Sequence, residues 1–356
     1  MTAVALSSGP HTHSRFTISR VMVAVMACLA PATIVGFLHF GLPAVLLFLV
    51  TIAASLAFEI VCLAIAGRPV LRFATDGSAI LTGWLLAMTL PPWAPWWVGV
   101  IGAGIAIVIG KHVFGGLGQN LFNPAMVARA MLLVALPVQM TVWVAPMEPN
   151  SGPGIAEALA ITFGNGAPAI DAMSSASLLG HVQSGLDAGL ALSSLVAPDT
   201  LDTQLWGGVA GSLGETSALA LLGGGLCLVL MRIITLTIPL TVLGSLFGCA
   251  AVAWAIDPDA HLPPLLHVAS GSAMLCAFFI ATDYVTAPLT GLGKALYGIG
   301  TGVLIFVIRT WGAFPEGVAF AVLLMNACTP VIDAYIRPRI FGRTRKGAPL
   351  EIGGRP

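Results

Sequence analysis

From Val21 to Ala66 the chain carries no Lys, no Arg and a single carboxylate, Glu59. A helix crosses a bilayer with about 20 mostly apolar residues, so this stretch predicts two crossings, 21–41 and 43–66, joined by a tight turn. The remaining apolar runs extend the pattern. Before a long polar interval they lie at 77–90, 96–110 and 121–138. After it they lie at 217–231, 234–256, 265–281, 295–310 and 317–335. Charged residues make up 8% of the chain, against roughly 25% in an ordinary soluble protein, and mean hydropathy is +0.96. The expectation is an all-α polytopic membrane protein of about ten transmembrane helices. The first run is too long for the core of a signal peptide and is read as a retained helix.

Charge placement orients the frame. Arg15, Arg20, Arg68, Arg72, Lys111, Arg232 and Lys294 fall on one side, with the tail residues Arg337, Arg339, Arg343, Arg345, Lys346 and Arg355. Basic connections stay cytoplasmic, so both termini are expected inside. Segment 139–216 holds seven carboxylates (Glu148, Glu157, Asp171, Asp187, Asp199, Asp202, Glu215) and no Lys or Arg; it is expected to be external. Arg309 is the exception. Four parts follow: a first membrane repeat (1–138), the external loop (139–216), a second repeat (217–336) and a basic tail (337–356).

The halves echo one another. Gly77-Ser78-Ala79-Ile80-Leu81 has a counterpart in Gly271-Ser272-Ala273-Met274-Leu275, and Lys111 has one in Arg309. Five helices per half turn the second copy upside down, giving an inverted repeat. This relation also accounts for a basic residue at the outer end of 295–310.

Ionisable residues inside the membrane are costly and mark candidate sites. Glu59, Arg129, Asp283 and Asp333 are such residues, each readable as part of an ion path or as a structural pair. For Asp333, close to the tail, the structural reading is preferred. The Gly-rich segments 115–120 and 207–217 lack the Gly-Lys-Ser/Thr of a phosphate-binding P-loop, and serve either as helix caps or as donors to a polar ligand. Net charge is zero, which makes nucleic acid an unlikely partner on charge grounds. Six scattered cysteines without a CxxC spacing read as buried structural thiols.

Several segments resemble the D subunits of Rnf electron-transport complexes, the RnfD/NqrB family: Ile280-Ala281-Thr282-Asp283, Ile308-Arg309-Thr310-Trp311-Gly312 and Glu316 through Asn326. Asn123-Pro124-Ala125, Gly211 through Ser217 and Arg337-Pro338-Arg339 fit as well. A more distant similarity is to the B subunits of the sodium-pumping NADH:quinone reductases. The resemblance covers nearly the whole chain. It implies a multi-pass component of the bacterial inner membrane, with loop 139–216 periplasmic and a fold similar to urea transporters. Its complex would move electrons between NADH and ferredoxin, coupled to Na⁺ or H⁺. The partners implied are the A, B, C, E and G subunits and a flavin transferase, with ferredoxin and NADH reached through the other subunits.

The same resemblance implies covalent FMN, joined through its phosphate to the last residue of an Asp-x-x-Ser/Thr-Gly-Ala-Thr motif. Asp171, Ser174, Ser175, Ala176 and Ser177 match it, with Ser175 replacing Gly and Ser177 replacing the acceptor Thr. A serine hydroxyl still makes a phosphoester, so Ser177 is the expected acceptor, with Ser174 and Ser175 as neighbours of the same chemistry. The acidic loop disfavours a negatively charged reduced flavin unless arginines or backbone donors compensate. Non-covalent riboflavin is a second cofactor implied by relatives. Asn120, Asn123, Arg129, Gly214, Glu215, Thr216 and Asp283 are candidates for a flavin or ion path. A urea-transporter-like solute channel, or a flavin-free scaffold protein, would use the same frame.

Overall fold

The structure, a computed structural model, describes residues 17–148, 152–164, 174–175, 177–314 and 316–338. Asp171, Ala176 and the tail from Arg339 onward lie outside them. The described chain is mostly helical and has one two-stranded sheet.

Helix α1 (Ile18–Ile65) is broken at Gly41, where φ is 71°. Its halves run antiparallel. Gly77 faces the Met22 side chain from the first half, while Glu59 in the second half binds Lys111, which in turn binds Ser78. The expected crossings 21–41 and 43–66 are therefore the two arms of one hairpin. At its bend the Phe40 carbonyl accepts from Trp93 Nε1 (2.9 Å) and the His39 carbonyl from the Met147 N–H (2.9 Å).

The short α2 (Val70–Ala74) leads into α3 (Ser78–Thr89). Helix α4 (Trp96–Gly104) continues as a π-helical stretch, Ile105–His112, and α5 (Pro124–Ala135) closes the first half. In the second half, α11 (Ala218–Leu230) and α12 (Thr237–Ile256) precede α13 (Pro264–Ala269) and α14 (Ala273–Leu275). Helix α14 runs on as a π-helical turn, Cys276–Ile280. Helices α15 (Gly291–Trp311) and α16 (Val318–Tyr335) end the described bundle. The expected run 265–281 is thus three short pieces, interrupted at Ser270–Gly271, where Gly271 has φ of 62°.

Among the described residues four helices are long and apolar enough to cross a membrane, α1 among them, and four shorter apolar helices accompany them. Large apolar side chains such as Leu38, Leu49, Val61, Leu230 and Ile256 are exposed, whereas Thr33, Thr51, Ser55 and Glu59 on α1 are buried. Small residues let helices approach closely where lipid supplies no hydrophobic drive. Along α15, Gly298 packs on Thr241 and Gly302 on Ser245 and the Val242 carbonyl of α12.

One expectation needs correction. Of the six cysteines only Cys28 and Cys276 are buried, and Cys227 and Cys328 are exposed, because an apolar run in a membrane protein presents one face outward. Segment 139–216 contains the end of α6 (Pro137–Thr141), β1 (Trp143–Val144), α7 (Ile155–Phe163), β2 (Ser174–Ser175), α8 (Leu178–Asp187), α9 (Leu192–Leu195), α10 (Thr200–Trp206) and a 3₁₀ turn, Leu213–Glu215. Leu179, Val182, Leu192, Leu262 and Leu266 give this face its own small apolar core.

Candidate functional site

The candidate residues divide between the two ends of the bundle. At the end remote from segment 139–216, Asn120, Asn123 and Asp283 line a cavity of about 810 Å³, counted with its open mouth. Its walls include Phe278 and Phe279, and Ser78 and Lys111 border it. Asn123 caps α5 through Oδ1, which accepts from the Ala125 and Met126 N–H groups, while Nδ2 donates to the Ile280 carbonyl (3.4 Å). The Asp283 carboxylate accepts from the Val285 N–H (3.2 Å) and the Thr286 hydroxyl (3.3 Å), so it holds its own turn as well as facing the cavity.

Beside this cavity Glu59 is paired through one carboxylate oxygen, while Oε2 lies near His112 without a hydrogen bond. Lys111 Nζ donates to Glu59 Oε1 and Ser78 Oγ, both at 2.8 Å, and His112 Nε2 lies 3.0 Å from Glu59 Oε2. Ser78 Oγ passes the chain on to Asp76 Oδ1 (2.6 Å). Asp333 accepts from the Leu289 N–H at an exposed position (3.1 Å), the structural role expected of it.

At the other end Ser177 is 7% exposed and is the N-cap of α8; its Oγ accepts from the Gly180 N–H (3.3 Å). It faces an open cleft with Trp143, Gln183, Asp187 and Trp311. Gln183 Nε2 donates to the Gly312 carbonyl (2.9 Å), tying α8 to the end of α15. Ser174 and Ser175 form β2, antiparallel to β1, with Trp143 opposite Ser175 and Val144 opposite Ser174. The motif is thereby anchored to the end of α5, whose Arg129 guanidinium stacks 5.8 Å over the Trp143 ring and donates to the Thr89 carbonyl.

A second, smaller cavity lies beneath Ser177, lined also by Gln204, Glu215, Ser270, Gly271 and Glu316. Glu215 Oε1 accepts from Ser212 Oγ (2.5 Å). The Glu316 carboxylate accepts from the Ser272 N–H (2.6 Å) and hydroxyl (2.9 Å), and its Oε1 lies 3.6 Å from Arg309 Nη2. Arg309 also donates to the His267 (2.6 Å) and Ser270 (3.1 Å) carbonyls. Burial and the adjoining Glu316 push the Glu215 carboxyl up to about 8. Gly214 lets the turn lie against the Met88 carbonyl, and Thr216 Oγ1 closes it by donating to the Leu213 carbonyl (3.2 Å). The helix after this turn is capped by Ser217, whose Oγ accepts from the Ala220 N–H (3.2 Å), rather than by Glu215 and Thr216.

Arg129, Gly214, Glu215 and Thr216 thus belong with Ser177, whereas Asn120, Asn123 and Asp283 belong to the remote cavity. Sequence reasoning passed over Glu316, Ser270, Gln204 and Trp143. The echoed Gly-Ser-Ala motifs were the available signal. Ser78 meets Lys111 and Ser272 meets Glu316, so both motifs sit on a buried ion cluster.

Apolar outward faces around buried ion clusters mark a multi-pass membrane protein. The chain belongs to the NQR2, RnfD, RnfE family, whose pattern matches residues 5–342. It is 59% identical to the D subunit of the ion-translocating oxidoreductase complex of Rhodobacter capsulatus, over 85% of this chain and 84% of that one. The protein of the same description from Stutzerimonas stutzeri is 50% identical over 94% and 95%. That of Vibrio cholerae serotype O1 (strain M66-2) is 40% identical over 96% and 99%.

Proposed function

We propose that this chain is the flavin-carrying membrane subunit of an ion-translocating oxidoreductase complex. It relays electrons through FMN held as a phosphoester on Ser177 and contributes to coupled Na⁺ or H⁺ transport. The observation that carries this reading is the setting of Ser177. Its hydroxyl opens a helix and borders an open cleft, above two buried arginines. A helix N-terminus offers free N–H groups and a positive dipole end to phosphate oxygens, and Ser177 brings its own ester oxygen to that point. Trp143 and Trp311 give the cleft aromatic surface for a flavin ring, and Arg129 and Arg309 supply positive charge that the acidic segment lacks. Bound FMN would supply one- and two-electron chemistry; the protein fixes its place and tunes its potential.

The remote cavity suits riboflavin. Ligand sites are mostly apolar with a few placed polar groups, and this one combines apolar walls with Asn120, Asn123 and Asp283 at its polar side. Counting both arms of α1, we read the frame as ten crossings in two inverted repeats of the urea-transporter type. Segment 139–216 is placed in the periplasm and both termini in the cytoplasm of an inner-membrane complex. The A, B, C, E and G subunits complete that complex and connect it to NADH and ferredoxin, and a flavin transferase matures it.

Peptide mass spectrometry of the protein from its native membrane tests this. An FMN-sized adduct on Ser177, absent from Ser177→Ala, is the expected result. An adduct on Ser174 or Ser175 moves the site. An unmodified peptide from cells that make the transferase overturns the proposal, leaving the solute channel or the flavin-free scaffold.

A further inference from the structure

The cavity under Ser177 gathers more ionisable and unsatisfied groups than structure alone needs. Glu215 (5% exposed) rests against Glu316, with Arg129 on α5 and Arg309 on α15 around them. Two more lining groups, Gln204 Oε1 and Ser270 Oγ, are buried and have no partner among the described residues; Arg309 Nε beside them has none either. A buried polar atom left unsatisfied costs about 1–3 kcal/mol. Two such atoms line this one small space, with a third on Arg309 next to Ser270, and they set it apart from plain packing. Two carboxyls in contact do not both ionise readily. Of the two, Glu316 has the stronger donors, the Ser272 N–H and the Arg309 guanidinium. Glu215 has a hydroxyl donor and, among the described residues, no close guanidinium contact of its own, so it is the one to carry the proton.

We propose that Glu215 and Glu316 share one proton beneath Ser177, and that the pair takes up or gives back this proton in step with the charge of the flavin carried there. This rests on the reading of Ser177 as flavin acceptor. With the proton aboard, two guanidiniums face one carboxylate, a net charge of +1. Without it the cluster is neutral. When the complex delivers an electron above the cluster, Glu215 accepts a proton by way of the Ser270–Gln204 cavity. When the electron passes on, that proton returns the same way, so charge and atoms balance over a cycle. Other ionisable groups near the turn are few: the buried thiol of Cys276 interacts with Arg309 and Glu316, next to the Leu275 that packs on Gly214. Helix α3 carries no ionisable residue along Ser78–Thr89, and α1 offers only His39, one turn beyond the Gly36 that packs on Leu213. His267 meets Arg309 through its carbonyl.

The test is a redox titration of the flavin in the intact complex, across pH, with the Ser177 adduct first verified by mass. In the parent, the midpoint potential should bend near pH 8 and fall more steeply above it. Glu215→Gln, which stays neutral throughout, should lose that bend and keep a higher potential on the alkaline side. Redox-difference infrared spectra provide a second readout: a carboxylic-acid carbonyl band should appear on reduction above the bend, and vanish in Glu215→Gln. If Glu215→Gln fails to assemble, the band in the parent decides alone. Adduct present with the same pH dependence in both proteins, or no such band, overturns this inference and spares the flavin assignment. An absent adduct overturns both.

Discussion

Lys111→Met should be among the most damaging single substitutions in the first half of the bundle. The Lys111 and Glu59 side chains are 2% and 3% exposed and meet at 2.8 Å. Removing the ammonium leaves a buried carboxylate with only His112 beside it. Breaking a buried pair from one side costs about 3–5 kcal/mol, because the surviving charge stays desolvated. At about 1.4 kcal/mol per decade, that is about two to three and a half decades in the folded-to-unfolded ratio. Replacing both partners, as in Glu59→Met with Lys111→Met, removes the orphan and should recover most of the loss. The two single losses should therefore exceed the double by at least ~2 kcal/mol. Unfolding of the purified protein in detergent, followed by tryptophan fluorescence, gives all four corners of the cycle. Single variants as stable as the parent, or losses that simply add, would refute the claim that the pair acts as a unit.

Three further outcomes are expected. Ser177→Ala should lose the flavin adduct and about 1 kcal/mol of helix capping, whereas Ser177→Thr should keep both, as read by peptide mass and thermal unfolding. Gly302→Ala drives a methyl into the Val242 carbonyl and Ser245 and should cost about 1–3 kcal/mol; Gly244→Ala, with open space around it, should be neutral or slightly stabilising in the same assay. In a cysteine-free background, a cysteine at Asp199 should react with an impermeant maleimide added to cells opened only at the outer membrane, and one at Arg68 should not. The reverse labelling would invert the proposed topology.

Much of the frame was legible because lipid enforces a simple rule, long apolar runs with charge at their ends. The hairpin of α1 followed from the length of the apolar stretch Val21–Ala66, with no Lys or Arg and one carboxylate, and its pivot coincided with the expected boundary. Lys111 and Arg309 were recognised as equivalents from sequence, and both prove to be buried in ion pairs. The partners were harder to read. Glu59 lies 52 positions from Lys111, and no local spacing connects Glu316 to Ser272 or Arg129 to Trp143. The run 265–281 looked continuous because hydropathy does not register a positive φ at Gly271. Segment 139–216 looked like a loop because its helices are short and its apolar core is shared among elements distant in sequence.

Gly41 carries a consequence for how the protein is made. Its φ of 71° suits glycine, and the bend it creates is sealed by Met147 and Trp93, which satisfy the carbonyls of His39 and Phe40. Without that reversal the 48 residues of α1 would form a rod of roughly 70 Å, more than twice the ~30 Å apolar thickness of a bilayer. The nascent chain thus offers the insertion machinery no hydrophilic pause between its first two crossings. Of the groups that lock the bend, Trp93 follows Gly41 by about 50 residues and Met147 by about 100. Until then a single glycine decides whether the emerging segment doubles back or overshoots.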